Sequence, residues 1–160
     1  MSLPVPAYLA NHELVLQAFG RWPMFHDAYL LSFALTNGVF ECEIHGWNMT
    51  REVDEQGYFK CDRNHRVTFR FFGVLEADLS GLEACERVCG TNILFELFFT
   101  PTDQCTPGNA FEVRFDSAIG GEFAGWIRAS RGVVVSVRPC DAKGNLPGDR
   151  DAGAGLDDLK

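Results

Sequence analysis

The chain has 160 residues, of which 46% are hydrophobic and 22% charged, the size and composition of one globular domain. A chain this long buries roughly 68–70% of its unfolded surface on folding, so it needs neither disulfides nor a structural metal to hold a core. Twenty-two acidic against 14 basic side chains give a net charge of −8, which speaks against nucleic acid as a partner, because that affinity rests largely on clustered Lys and Arg.

The opening residues Met1 to Pro6 contain no basic stretch followed by an apolar one, and no run reaches the roughly 18 apolar residues of a membrane span. The expectation is a cytoplasmic protein with no membrane association. Cys42, Cys61, Cys85, Cys89, Cys105 and Cys140 form no CxxC pair and read as reduced, buried thiols. Cys85 and Cys89 could share a helical face with His65 as a third ligand, but tetrahedral zinc wants four ligands in tighter pairs. No metal and no cofactor is expected.

In chain order, Asn11 is a good N-cap and Gly20 a good C-terminal stop for a short helix over 11–19. Trp22-Pro23 forbids its continuation. Leu31, Phe33 and Leu35 then alternate with Ser32, Ala34 and Thr36, the pattern of a half-buried strand. Asn37-Gly38 is a type I′ hairpin signal, because both residues tolerate positive φ. The returning strand places Phe40, Cys42 and Ile44 on a core face and Glu41, Glu43 and His45 on an acidic, wet one.

Residues 48–64 are polar apart from Val53, Tyr58 and Phe59, which read as apolar anchors in a long loop or extended hairpin tip. Val67, Phe69 and Phe71 make a third strand. Leu82, Cys85 and Cys89 suggest a second short helix within 78–90, although Gly81 weakens it. The stretch 91–100 is apolar on both faces and reads as a central strand covered on both sides. Strands around Phe111 to Asp116, Glu122 to Ser130 and Gly132 to Arg138 follow. From Asp141 the chain holds four glycines, five aspartates and almost no large apolar residue, the composition of a disordered tail.

The sum is an α+β fold, mainly β: an antiparallel sheet or sandwich of about seven strands with an N-terminal helix and a possible second short one. One domain covers 1–140, with a Gly/Asp-rich tail over 141–160. No alternating βαβ pattern supports a doubly wound parallel sheet.

No GxGxxG, GxxxxGK[ST], HExxH or GxSxG occurs. The densest polar constellation is Trp22-Pro23-Met24-Phe25-His26-Asp27, where an imidazole and a carboxylate lie in an aromatic-walled loop. His26 and Asp27 could act as base and orienter, yet neighbours on an extended chain point to opposite faces. The segment therefore reads as a structural corner, with Asp27 closing the turn and His26 bonding backbone groups. His12 and His65 read as solvated. Trp47 and Trp126 read as core-rim residues or interface anchors.

The run Phe19 to Ala28, with Trp22-Pro23-Met24-Phe25-His26-Asp27-Ala28 at its centre, together with Ile44-His45-Gly46-Trp47, Val67 to Val74 and Thr91 to Leu94, resembles the immunity protein 50 family of bacterial polymorphic toxin systems over about residues 14–138. That resemblance implies a cytosolic protein that neutralises a cognate toxin by surface complementarity and is not an enzyme. On this reading Glu41, Glu43, His45 and Trp47 contact a protein partner, and the acid excess around Glu41, Glu43, Glu52, Asp54 and Glu55 steers a cationic one. The alternatives are a small metal-dependent or acid–base enzyme using His26 and Asp27, and a non-catalytic adaptor or structural domain.

Overall fold

The structure is a computed structural model that describes residues 3–80, 93–101, 111–117 and 124–149. Among these described residues there are one helix, α1 (His12–Phe19), and eight strands: β1 (Tyr29–Thr36), β2 (Val39–Val53), β3 (Phe59–Phe72), β4 (Glu76–Ser80), β5 (Leu94–Pro101), β6 (Phe111–Ser117), β7 (Ala124–Ala129) and β8 (Arg131–Pro139). They form two antiparallel sheets, ordered β1-β2-β3-β8 and β4-β7-β6-β5.

Aromatic side chains join the sheets. Phe40 on β2 lies 5.5 Å from Phe115 on β6, Phe69 on β3 5.6 Å from Phe99 on β5, and Phe71 5.9 Å from Phe111. The expected inward residues Phe40, Cys42, Ile44, Val67, Phe69, Phe71, Val113 and Phe115 are all buried. Val15 and Phe19 bury the inner side of α1.

The Asn37-Gly38 turn has positive φ at both residues, 51° and 74°, and closes the β1–β2 hairpin as its sequence predicts. In β1, however, Leu30 pairs with Ile44 and Ser32 with Glu43. Leu31 is thus an extra residue, and Leu30 takes the core position that simple alternation assigns to Leu31.

Four other expectations are corrected. The strands number eight because Glu76–Ser80 pairs with β7, so residues 78–80 extend a sheet instead of opening a helix; 81–92 lie outside the described residues. Among the described residues, 94–101 stands at the end of its sheet with β6 as its one strand neighbour instead of at the centre; its apolar side chains Leu94 and Leu97 are buried, and its other side is held by Leu94 and Leu97 N–H donating to Ala28 and Met24 C=O at 2.8 and 3.4 Å. The Asn11 side chain does not cap α1; its amide donates to Val134 C=O on β8 at 3.3 Å, while Gly20 ends the helix with φ 77° and its N–H bonded to Leu16 C=O. Finally, residues 141–149 fold back as hydrogen-bonded turns: Asp141 Oδ1 accepts from the backbone N–H groups of Lys143 and Asn145, both at 2.9 Å. Composition hides this because the segment is held by Asx-turn bonds instead of apolar burial. The rest of the expected tail, 150–160, lies outside the described residues.

Candidate functional site

Two groups of residues singled out in the sequence meet beside β2. The segment after α1 places Trp22 and Phe25 in the core, where Trp22 touches Phe69 and Phe99 at 6.3 and 5.6 Å and so bridges both sheets. Phe25 packs edge-on against Phe69 at 5.9 Å, and its ring lies so close to Gly46 that a Cβ there would sit 2.9 Å from Phe25 Cδ1. This contact explains the glycine between His45 and Trp47.

Phe25 and Asp27 both have positive φ, 55° and 59°, in a turn closed by Ala28 N–H donating to Phe25 C=O at 3.2 Å. The left-handed conformation brings consecutive side chains together, so His26 Nδ1 lies 2.9 Å from Asp27 Oδ2. The expectation that the two point apart is therefore corrected. Both are about half exposed, at 40% and 49%.

Between this corner and β2 lies a cleft of about 280 Å³. Its walls are largely apolar, from Trp22, Met24, Phe25, Trp47 and Met49, with Arg21, His26 and Asn48 as polar members. Asn48 ties the floor to the helix by donating from Nδ2 to Phe19 C=O at 2.7 Å. The structure thus brings Trp22, His26 and Trp47 to one site, although they come from segments more than twenty residues apart.

Glu41, Glu43 and His45 are elsewhere, on the outer face of the first sheet, and they are engaged within the molecule. Arg70 Nε donates to Glu41 Oε2 at 2.6 Å. Glu43 accepts from Arg66 at Oε1 and from Arg138 at Oε2, at 2.5 and 2.9 Å. The acidic face of the sequence reading is a ladder of two carboxylates and three guanidinium groups, because Arg70 on β3 stands opposite Glu41 while Arg66 on β3 and Arg138 on β8 reach across to Glu43. Such a face gives no concentrated negative field.

His45 is 1% exposed. Its Nε2 donates to Asn64 Oδ1 at 3.0 Å, and Tyr29 and Trp47 lie at 5.9 and 5.1 Å. Residues 141–149 cover the remaining side: a Cβ on Gly144 would sit 2.9 Å from His45 Nδ1. Burial lowers the His45 pKa, helped by Arg66, against the Asn64 bond and Asp141, which raise it. His45 is a structural residue under a strap.

Of the other histidines, His12 Nδ1 lies 3.0 Å from Leu9 C=O and His65 Nδ1 2.8 Å from Arg63 C=O. Cys42 is buried, and burial pushes its thiol pKa up. Cys140 is half-buried and pushed up to about 11 by desolvation. Cys61 is exposed, unlike the buried thiol expected. Cys85, Cys89 and Cys105 lie outside the described residues, and among the described residues no three His, Cys, Asp or Glu side chains gather as metal ligands. No helix there is long and apolar enough to cross a membrane.

Beyond the cleft, β2 and β3 continue as a paired arm. Met49 pairs with Cys61 and Val53 with Phe59, so these four side chains share one side of the ladder. They are exposed: Met49 45%, Val53 55% and Phe59 56%, with Tyr58 at 69% beside them. Residues that read as anchors in the sequence are uncovered surface. Sequence reasoning noted Val53, Tyr58 and Phe59 but not their exposure, since alternation cannot distinguish a core face from an unpartnered one. Comparison with protein-family models, with curated proteins and with solved structures finds no match to this chain.

Proposed function

We propose that this chain is a protein-binding module of the toxin-neutralising kind, and that it grips its partner with the cleft and the apolar side of the β2–β3 arm. The observation that carries this reading is that exposed Met24 and Met49 line the cleft with Trp47, and that exposed Val53 and Phe59 lie farther along the same β2–β3 ladder. Exposed apolar surface rimmed by polar groups marks protein contacts, and a partly exposed tryptophan such as Trp47 beside a pocket is characteristic of the few residues that dominate binding energy. Trp47 keeps the partner-contact role given by the sequence. Glu41, Glu43 and His45 support the sheet instead, through Arg70, Arg66, Arg138 and Asn64.

The toxin-neutralising part rests on the resemblance of the Trp22 to Ala28 segment and on the net charge of −8, which favours a cationic partner. The test is the purified product of a toxin gene adjacent to the gene for this chain. It should bind, and co-expression should suppress its toxicity. Absence of binding would remove the neutralising reading and leave the adaptor or the enzyme.

The enzyme reading has one observation in its favour, the His26–Asp27 pair at 2.9 Å beside the cleft. It requires an activity that His26→Ala abolishes while the fold is retained.

A further inference from the structure

We infer that the partner contributes a short extended segment that adds as a strand to the edge of β2 beyond His45, which no described strand other than β3 pairs, an inference that rests on the protein-binding reading above. β1 pairs with β2 from Thr36 opposite Val39 to Tyr29 opposite His45 and ends there. β2 runs on to Val53, and among the described residues its only strand neighbour beyond His45 is β3.

The chain that would have extended β1 is turned off the sheet by the left-handed residues Phe25 and Asp27. The space it vacates is the cleft, which is lined by residues 21–26, by 47–49 and by Leu3 from the N-terminal segment. An extended backbone placed there meets the edge of Gly46 to Met49, whose main-chain groups on that side no described strand takes up. Strand addition uses such groups for affinity and side-chain pockets for specificity.

The geometry also bounds the segment. The register shift between Gly46–His65 and Asn48–Asp62 puts its extra residue in β3 and adds none to β2, whereas β2 carries two extra residues between Met49 and Val53, and a bulge with an exposed charge such as Arg51 blunts an edge. The usable edge is therefore Gly46 to Met49, enough for a short segment only. Alternate side chains of that segment face the cleft. Its 280 Å³ compares with roughly 150 Å³ for an apolar cavity that admits a benzene ring, so one large aromatic or aliphatic side chain fits beside Met24, Trp47 and Met49. The segment needs a non-proline backbone and one such anchor.

Random dodecapeptides displayed on phage, selected on the wild-type protein, supply the probe. Enriched peptides are then synthesised with one or the other alternate set of backbone amides N-methylated. Strand addition predicts that one set lowers affinity about tenfold or more while the other does not, and that the bound peptide slows hydrogen exchange at residues 46–49. Met24→Asp, at the exposed rim, should weaken binding of the same peptides. Peptides sensitive to Met24→Asp but indifferent to both methylation patterns would overturn strand addition and leave the cleft as a protein-binding site. Peptides indifferent to Met24→Asp, or no enrichment at all, would overturn strand addition and count against the cleft itself.

Discussion

At Asp27 the backbone lies in the left-handed region, with φ 59°, where Asp is better tolerated than Ala because its short polar side chain bonds locally. Both members of the His26–Asp27 pair are about half exposed, so their attraction is worth little and the backbone dominates. Asp27→Ala should lower stability by about 0.5–1 kcal/mol, and Asp27→Gly by less, because glycine has no Cβ to strain. Urea melts of the three proteins check the order; equal losses would place the cost in the His26–Asp27 side-chain contact. His45 gives the complementary case. Its folded pKa is below the ordinary 6.5, so the unfolded chain takes up its proton first as pH falls. The stability from neutral, buried His45 is present above about pH 6.5 and is lost as pH drops toward its folded pKa. The melting temperature should fall between about pH 7.5 and 5.5, and His45→Gln should flatten that fall. An unchanged slope in the variant would assign the acid sensitivity to other groups. The sequence showed that Asp27 sits in a turn, since the Trp-Pro pair and the following strand force one. It could not show the burial of His45, which depends on Asn64 and Gly144, 19 and 99 residues away along the chain.

The strands follow their sequence patterns where one face is core and the other wet. The β1–β2 hairpin was legible from Asn37-Gly38 and from the alternation of Phe40, Cys42 and Ile44. The bulge at Leu31 was not, because an extra residue leaves the composition of a strand unchanged and appears only in its pairing. β4 is five residues long, too short for periodicity to separate it from the start of a helix, and pairing with β7 decides the matter. At that contact Gly125 has φ 135°, and a Cβ would lie 1.9 Å from Asp78 C=O. Backbone cannot yield as a flexible side chain does. Gly125→Ala should therefore destabilise the protein by about 2–4 kcal/mol, read as a lowered denaturant midpoint, whereas a loss under about 0.5 kcal/mol would mean that β4 does not approach β7 as described. The cleft was the least legible feature. Its two walls come from a corner and a strand end, and neither has a periodic signal that points to the other.

At the scale of the whole molecule, the proposed binding function divides the work of recognition between charge and apolar surface. Glu41 and Glu43 are paired with arginines, so a net charge of −8 acts on an approaching partner as a diffuse field. Such a field is screened beyond about 8 Å at physiological ionic strength. Added salt should slow association with a cationic partner and change dissociation less; stopped-flow traces at increasing salt measure it, and salt-independent association would remove steering. The cleft and arm should govern how long the complex lasts. Met49 and Phe59 are exposed, so Met49→Asp with Phe59→Asp should leave the melting temperature within about 2 °C of wild type. The most direct measurement is the affinity of this double variant and of wild type for the partner proposed above, the purified product of a toxin gene adjacent to the gene for this chain. A loss of about a hundredfold or more, with the melting temperature held, is the result expected if the arm and cleft form the binding surface, and an unchanged affinity in a folded variant would contradict it.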